Sequence, residues 1–395
     1  MAISIRYHYM DNLRAIAMLA GVFFHAAIAY SPLMENLWLA ADSNTSVVVD
    51  FIAWFSHLFR MPLFFLIAGF FTCYMVQKRG IAGLLKNRAL RILLPFVIFL
   101  PLVYVSFFAS VGWAFKNVQN LTPMLNTIAQ LSNSPDVTQP PLSTTHLWFL
   151  YNLVQFYLVY VVLHKTGALD SRFAAIFGDT RFVIFVLPLL MIPGLLTQGV
   201  PSPAPEQFYP RLWSFGYFGL FFLVGSQLFK RQSFIEELRP YVPWLLVSSV
   251  ALYVVLFSRF PTTVTFEQAI ASIVDGIPFS AQHLLQCTLE AVISVHMTLV
   301  CLVAGKTWLD RPSRVNRFIA DSSYWVYIVH LPVLFWIQFA TLDMQAGLLT
   351  KFAISSLGTL AFGMVTYVAL VRWSPIGWML NGRKRRRTVT TPETA

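Results

Sequence analysis

Residues 10–30 read MDNLRAIAMLAGVFFHAAIAY, and they form the first of ten long apolar stretches in the chain. A helix that crosses a bilayer needs about 20 mostly apolar residues, and each stretch is close to this length. None of them alternates polar and apolar residues as the strands of a membrane barrel do. The sequence therefore predicts an all-α, polytopic integral membrane protein with about ten transmembrane helices. These spans are predicted at roughly 12–31, 50–77, 91–112, 146–164, 181–198, 211–229, 241–259, 281–305, 318–341 and 348–372.

The composition agrees with a membrane protein and disfavours several other classes. Of the 395 residues, 57% are apolar and only 11% are charged, against roughly 25% charged in ordinary globular proteins. A soluble enzyme or a disordered scaffold of this size would leave too much apolar surface in water. The net charge of +11 does not indicate a nucleic-acid binder, because Lys and Arg lie in short runs between the apolar stretches.

The distribution of positive charge predicts that both termini are cytoplasmic. With the N-terminus inside, 22 of the 28 Lys and Arg residues fall on the cytoplasmic side and 4 fall in external loops. The remaining two, Arg14 and Arg60, lie inside spans. Cytoplasmic loops of membrane proteins carry such an excess of positive charge. We expect one transmembrane domain over residues 1–380 and a basic cytoplasmic tail over 381–395, where Arg383–Arg387 anchor the chain beside anionic lipid.

Ionisable side chains inside the spans are the first candidates for function, because each costs a few kcal/mol in hydrocarbon. Asp11 and Arg14 are three residues apart and share a helix face. Arg14 and His25 are eleven apart, which returns to nearly the same face after about 16 Å of rise. That length is similar to an extended pantetheine arm, so a coenzyme A thioester fits along this helix. The alternative is that Arg14 reaches the membrane surface and His25 hydrogen-bonds a neighbouring helix.

The second and third spans carry further arginines. Arg88 and Arg91 share a face at the cytoplasmic start of the third span, where they either clamp a phosphate or anchor the helix. His57 and Arg60 share a face near the external end of the second span. Pro62 predicts a kink there and a freed carbonyl that a neighbouring group must satisfy. We expect Arg60 either to anchor this helix at the interface or to line a substrate pocket.

Spans four, eight and nine contribute the remaining candidates. His146 and Trp148 open the fourth span at the external interface, in THLWFLYNLVQFY. Glu290 is a lone carboxylate in the eighth span and needs a proton or a partner. The histidine of the first span is a chemically sensible partner, because a carboxylate sets the tautomer of an imidazole and raises its basicity. Tyr327 and His330 share a face of the ninth span near mid-membrane.

These motifs resemble the acyltransferase-3 family of membrane acyltransferases. The Arg and His eleven residues apart and the Arg-x-x-Arg pair at the start of the third span match that family's signature. The resemblance is closest to the branch named for osmoregulated periplasmic glucan biosynthesis protein C, and it covers about residues 9–95, 144–158 and 318–336. The shared features are the opening MDNLRAIAMLAGVFFHAAIAYSP, the second-span HLFRMPLFFLIAGFF, the HLWFL motif at 146–150, a late Y-x-x-H-x-P motif at 327–332 and the carboxylate Glu290.

The resemblance implies an O-acyltransferase in the bacterial cytoplasmic (inner) membrane. Acyl-coenzyme A, either succinyl- or acetyl-coenzyme A, is expected to bind from the cytoplasm, with succinyl expected from the glucan branch. Hydroxyls of a periplasmic glucan or related glycan are expected to accept the acyl group. The expected partners are this glycan, the lipid bilayer and, as candidates, glucan-biosynthesis proteins. No metal is expected, and Cys73, Cys287 and Cys301 lack the spacing of a metal site or a disulfide framework.

The expected site has three parts. His25 acts on the thioester as a general base or as a nucleophile that carries the acyl group, and Glu290 orients it. An arginine near the acyl pocket, with Arg60 as the candidate, would favour succinyl, because a buried carboxylate needs a paired cation. The expected residues are Asp11, Arg14, Arg88 and Arg91 for donor binding, His25, Glu290 and His330 for catalysis, and His57, Arg60, His146, Trp148 and Tyr327 for substrate binding.

A different class of protein carries similar residues. Intramembrane His, Glu and Arg side chains also mark transport pathways, so the alternative is a transporter or flippase that moves a glycan or an acyl donor without chemistry. The sequence has no recognisable inverted repeat and no matching pair of glycine-interrupted spans, which many transporters have. Consumption of acyl-coenzyme A by the purified protein separates the two classes.

Overall fold

The computed structural model describes residues 7–132, 142–231 and 233–382, and these residues are predominantly helical. No β-strand occurs in them beyond an isolated bridge between Ser143 and Gln207. The expected anchor at Arg383–Arg387 lies outside the described residues. The α-helices are α1 (His8–Ile28), α2 (Val47–Arg88), α3 (Leu94–Asn117), α4 (Pro123–Ser132), α5 (Trp148–Lys165), α6 (Arg172–Ala175), α7 (Thr180–Phe185), α8 (Leu187–Leu195), α9 (Leu212–Ser214), α10 (Leu220–Lys230), α11 (Phe234–Leu238), α12 (Val242–Phe257), α13 (Phe266–Val274), α14 (Ala281–Trp308), α15 (Arg314–Thr341), α16 (Leu348–Thr366) and α17 (Pro375–Asn381).

The helices confirm the prediction of a polytopic all-α membrane protein. Among the described residues, eight helical segments are long and apolar enough to cross a bilayer. The bent pair Arg172–Gly178 and Thr180–Leu195, with 72° between its halves, adds a ninth if it forms one span. The longest segment, Val47–Asn117, contains both the second and the third predicted spans. If this segment is counted as two, each of the ten predicted stretches has a helical counterpart.

Two local features divide that long segment. Gly80 has φ 67° and ψ 178°, a backbone conformation that residues with a Cβ rarely adopt, and it interrupts α2. A π-helical turn, Ala89–Leu93, then joins α2 to α3. Turns of this width are rare and occur frequently at functional sites. This one carries Arg91.

Pro62 lies inside α2, where its ring leaves the carbonyl of Leu58 without a helical donor. The hydroxyl of Tyr217 donates to this carbonyl across 3.4 Å. The same hydroxyl lies 2.6 Å from that of Ser294 on α14. The prediction that a neighbouring group satisfies the freed carbonyl is therefore confirmed, and Tyr217 links three helical segments.

Helix α1 lies at the centre of the bundle, packed against α2, α14, α15 and α16. Small residues allow its neighbours to come close. A Cβ on Gly305 of α14 would lie 2.3 Å from the Leu13 side chain, and a Cβ on Gly21 would lie 3.1 Å from Nη1 of Arg60. Because α1 carries Arg14 near its start and His25 near its end, four other helices can surround these two side chains.

A buried ion pair anchors the loop between α1 and α2. Nζ of Lys351, on α16, lies 2.7 Å from the carboxylate of Asp42, and the two side chains are only 3% and 4% exposed. The backbone amide of Asp42 also donates to the carbonyl of Ala29 at 2.8 Å. The charge distribution along the sequence assigns Lys351 to an external loop, whereas the structure makes it a buried partner of that loop.

Replacing Asp42 by alanine is expected to destabilise the protein by roughly 3–5 kcal/mol, because the Lys351 ammonium then stays buried without a partner. The double variant Asp42→Ala, Lys351→Met is expected to recover most of this loss, since it buries no charge. Thermal unfolding of the detergent-purified variants measures both effects. A loss below about 1 kcal/mol for the single variant, as found for exposed pairs, would contradict the buried arrangement.

Candidate functional site

Four arginines gather where α1 and α3 begin, and we call them the arginine cluster. Arg14 lies on α1, Arg79 and Arg88 lie on α2, and Arg91 lies on the π-helical turn. The other three all act electrostatically on Arg91. Within the described part of the chain, no ion pair joins any of the four to a carboxylate. Asp11, expected to join this group, lies half-buried one turn before Arg14. The cluster is therefore suited to bind an anion.

Two tyrosines form the wall of the arginine cluster. The guanidinium carbon of Arg88 lies 4.8 Å from the ring centre of Tyr157, in a cation–π arrangement. The hydroxyl of Tyr324 donates to the backbone carbonyl of Arg91 at 2.7 Å. Arg14 and Arg88 act electrostatically on both tyrosines. Residues from α1, α2, α5, α15 and the π-helical turn thus meet at one place.

Three histidines from separate parts of the chain meet further along α1, and we call them the histidine cluster. The ring centres of His25 on α1 and His330 on α15 are 5.3 Å apart. The ring of His146, which precedes α5, lies 5.0 Å from that of His330. The structure thus brings together two expected catalytic residues and one expected substrate residue. In residues 7–132, 142–231 and 233–382, no group of three or more His, Cys, Asp or Glu side chains is arranged to hold a metal ion.

Hydrogen bonds to carbonyl oxygens fix the proton on two of these rings. Nδ1 of His330 lies 2.5 Å from the carbonyl of Tyr327, and Nε2 of His146 lies 3.0 Å from that of Ile328. A carbonyl only accepts, so these nitrogens carry the proton and the other nitrogen of each neutral ring holds a lone pair. Those other nitrogens, and Nδ1 of His25, are buried without a hydrogen-bond partner among the described residues. The cluster therefore presents proton acceptors to a bound substrate.

Arg60 is a buried guanidinium that faces the histidine cluster from α2. It is 6% exposed, and its Nε and Nη1 atoms have no hydrogen-bond partner in the described part of the chain. Its guanidinium carbon lies 4.6 Å from the ring centre of Phe24. Its charge acts on His25 and His330. Because an unpaired buried cation costs several kcal/mol, an anionic ligand beside Arg60 would be stabilised.

Glu290 contacts a loop, and the expectation that it orients His25 is corrected. The carboxylate is fully buried, and Oε1 accepts the backbone amide of Ser202 at 3.0 Å. Nε2 of His57 donates to the carbonyl of the same Ser202 at 3.1 Å. Phe24 lies between the two histidines, with its ring centre 5.0 Å from that of His57 and 5.3 Å from that of His25. The backbone of Ser202 therefore links Glu290 to His57.

His146 and Trp148, which the sequence predicts at the external interface, are buried inside the protein. They are 5% and 8% exposed. The chain before α5 folds inward because the amide of Thr144 donates to the carbonyl of Glu206 at 2.7 Å. Beside Trp148 lies a small cavity with space for about one water molecule. Its polar lining consists of His57, Ser202 and Tyr217.

Aromatic side chains on one face of α15 connect the two clusters. Tyr324, Tyr327 and His330 follow one another at three-residue spacing, with successive ring centres 6.5 and 5.9 Å apart. Tyr324 belongs to the wall of the arginine cluster. Tyr327, an expected substrate residue, donates its hydroxyl to the backbone carbonyl of His146 at 2.7 Å. Since α1 packs along α15, both helices run from one cluster to the other.

No pattern in the sequence identifies several residues of the site. Trp38, from the loop after α1, lies nearly parallel to the ring of His25, with centres 6.1 Å apart and planes 15° apart. Ser202 and Tyr217 reach the site only through tertiary contacts. Arg79 is indistinguishable in sequence from a cytoplasmic anchor, and Trp38 from an interfacial tryptophan.

Comparisons with known proteins extend over both clusters. The family profile described as an acyltransferase domain matches residues 7–368. Relatives named glucans biosynthesis protein C, from Salmonella heidelberg (strain SL476), Salmonella typhi and Salmonella typhimurium, are 23% identical to the chain over 398 residues. These matches cover 96% of this chain and 95% of each relative. No solved structure matches the chain.

Proposed function

We propose, since the chain belongs to the acyltransferase-3 family of membrane acyltransferases, that it transfers a succinyl group from succinyl-coenzyme A to hydroxyls of a periplasmic glucan. The name of the relatives supports the glucan as acceptor. The bacterial inner membrane is the proposed location, because it separates a cytoplasmic donor from a periplasmic acceptor. The observation that carries the proposal is an arginine cluster without carboxylate partners among the described residues, one helix length from the histidine cluster.

The arginine cluster supports coenzyme A as the carrier of the acyl group. Coenzyme A bears a diphosphate and a 3′-phosphate, and guanidinium groups bind phosphate oxygens through paired N–H donors. The rise along α1 from Arg14 to His25 is about 16 Å, which suits an extended pantetheine arm. A donor bound in this way has its phosphates at the arginine cluster and its thioester at the histidine cluster.

The histidine cluster supports the chemical step. The acceptor hydroxyl oxygen attacks the thioester carbonyl carbon, and its proton passes to a nitrogen of His25 or His330 that has no hydrogen-bond partner among the described residues. The C–S bond then breaks, and the sulfur takes that proton and leaves as the thiol. In the alternative order, His25 first forms an acyl-imidazole and releases the thiol before the acceptor reacts. A ping-pong pattern of initial velocities would indicate this second order.

Arg60 supports succinyl over acetyl as the transferred group. Succinyl carries a carboxylate at its far end, and the buried guanidinium has two N–H-bearing atoms without a partner among the described residues. Pairing the two charges removes the cost of burying either one alone. Acetyl leaves the guanidinium unpaired.

In this proposal His57 and Trp148 line the part of the site where the glucan hydroxyl binds. His57 is positioned by Glu290 through the backbone of Ser202. Trp148 lies beside it at the small cavity. We assign Glu290 a positioning role toward His57, because it is the carboxylate linked to that imidazole.

Thiol release by the purified wild-type protein tests the proposal. The protein in detergent is offered succinyl- or acetyl-coenzyme A, with and without a β-glucan, and free thiol and ester-linked succinate are followed. We expect glucan-dependent thiol release that is faster with the succinyl donor. Faster release with the acetyl donor would overturn the succinyl assignment. If no donor and acceptor pair releases thiol, while reconstituted vesicles move glycan or donor, the protein is a transporter.

Replacing Arg88 by glutamine is expected to raise KM for succinyl-coenzyme A by roughly 10–100-fold, because a hydrogen bond to a charged group contributes about 1.5–3 kcal/mol. We expect kcat to stay close to that of wild type, since the phosphate contact is equally present before and during the reaction. Succinyl-pantetheine, which has no nucleotide phosphates, should react alike with both proteins. Arg172→Gln is the matched control, because Arg172 is an exposed arginine that is also predicted on the cytoplasmic side but lies outside the arginine cluster. Equal KM values for wild type and Arg88→Gln would overturn the phosphate assignment.

A further inference from the structure

The loop between α1 and α2 places an indole over His25. The Trp38 ring lies between His25, at 6.1 Å, and Phe335 of α15, whose ring centre is 5.0 Å away. Its Nε1–H group donates to Oε1 of Gln338 at 3.1 Å. The indole therefore packs against two other rings, and its only polar atom has a hydrogen-bond partner.

Gln338 connects this indole to the end of α1. The side chain is 3% exposed, and its Nε2 donates to the carbonyl of Ala26 at 3.3 Å. Ala26 lies in the last turn of α1, where carbonyls have no donor within the helix. The side-chain amide of Gln338 thus donates to the carbonyl of Ala26, next to His25, and accepts from Trp38, which lies over the His25 ring.

The rest of the loop is tied to α16 and to the residue before α4, and Trp38 is part of this cover over His25. The Asp42–Lys351 ion pair ties the loop to α16. The hydroxyl of Thr122 donates to the carbonyl of Leu39, next to Trp38, at 2.8 Å. The loop follows the predicted external end of α1, so this cover shields the side of His25 that faces Trp38, while the proposed acceptor residues His57 and Trp148 lie on α2 and α5.

We infer that Trp38 excludes external water from the thioester, so that the acyl group is transferred to the glucan and not to water. This inference rests on the proposed function. In the competing hydrolysis, a water oxygen attacks the same carbonyl carbon, the C–S bond breaks, and succinate and free thiol form. A histidine that takes a proton from a sugar hydroxyl also takes one from water. Closure of an active site against water prevents this loss.

Replacing Trp38 by alanine tests the inference through the ratio of hydrolysis to transfer. Hydrolysis is free thiol released from succinyl-coenzyme A without glucan, and transfer is ester-linked succinate formed with glucan. We expect this ratio to rise about 10-fold or more, because opening a closed site admits water. Trp38→Phe retains an apolar ring and is expected to stay close to wild type. Trp113→Ala is the matched control, because Trp113 packs on the same apolar cluster as Trp38 but contacts Trp336.

A second variant separates water exclusion from loss of the fold. Gln338→Leu keeps a side chain of similar volume but removes the hydrogen bonds to Trp38 and Ala26. We therefore expect the ratio of hydrolysis to transfer to rise, but less than in Trp38→Ala. If the wild-type protein transfers succinate and the ratio of hydrolysis to transfer is unchanged in both Trp38→Ala and Gln338→Leu, the role of Trp38 is overturned. The proposed function is not affected by that result. Absence of thiol release from the wild-type protein under all conditions would instead overturn the proposed function.

Discussion

Replacing His25 by alanine is expected to lower kcat for succinyl transfer by about 10²–10⁴-fold, the range that a positioned general acid or base contributes. We expect KM for succinyl-coenzyme A to change little, because the proposed binding site of the donor phosphates is the arginine cluster, away from His25. The physical reason is that His25 stands at the end of α1 opposite Arg14, beside His330 and under Trp38. Free thiol and ester-linked succinate, measured at saturating donor, give the comparison with wild type.

The control for this experiment is His296, a buried histidine of another spanning helix. His296 on α14 contacts the carbonyl of Ile184 and the ring of Trp244, away from the histidine cluster. His296→Ala is expected to keep kcat near that of wild type. Wild-type kcat in His25→Ala would contradict the assignment, and His330→Ala would then be expected to carry the loss. Equal losses in His25→Ala and His330→Ala are expected if the two rings act together.

Replacing Arg60 by glutamine is expected to lower kcat/KM for succinyl-coenzyme A by roughly 30-fold or more, because truncating one partner of a buried charge pair costs about 2–5 kcal/mol. The acetyl donor, which has no second carboxylate, is expected to be affected far less. The measured quantity is the ratio of the two kcat/KM values in the purified variant and in wild type. The expected loss of succinyl preference rests on the N–H groups of Arg60 that have no partner among the described residues.

Arg60→Lys is the conservative comparison for the same position. Lysine keeps the charge but loses the planar fork that binds a carboxylate through two parallel hydrogen bonds, so partial retention of succinyl preference is expected. If Arg60→Gln lowers kcat/KM equally for both donors, the guanidinium serves the histidine cluster electrostatically. That outcome would contradict the carboxylate assignment and leave the thioester chemistry in place.

The sequence predicted well whatever depends on one helix at a time. Each of the ten apolar stretches has a helical counterpart if Val47–Asn117 is counted as two, and Pro62 has the neighbouring donor that the freed carbonyl requires. The registers within helices also agree with the structure. Tyr327 and His330 share a face of α15, with ring centres 5.9 Å apart. These relations follow from the fixed rise and rotation per residue of a helix.

Relations between helices could not be predicted in the same way. Glu290 and His25 are chemically suited to each other, yet the carboxylate binds the backbone of Ser202. Lys351, counted among external loop charges, is buried against Asp42. In each case a different partner lies closer, and spacing along the chain carries no information about which helices adjoin.

By itself the sequence determined that this protein is a polytopic helical membrane protein with ionisable groups inside its spans. Segment length, hydropathy and charge can be read locally along the chain, and they are sufficient for this conclusion. Only the tertiary structure decided that four arginines form one cluster, that three histidines face each other, and that Trp38 covers His25. The physical reason lies in the bilayer. Lipid tails are as apolar as leucine, so hydrophobicity does not select helix neighbours, and the shapes and hydrogen bonds of packed side chains make that choice.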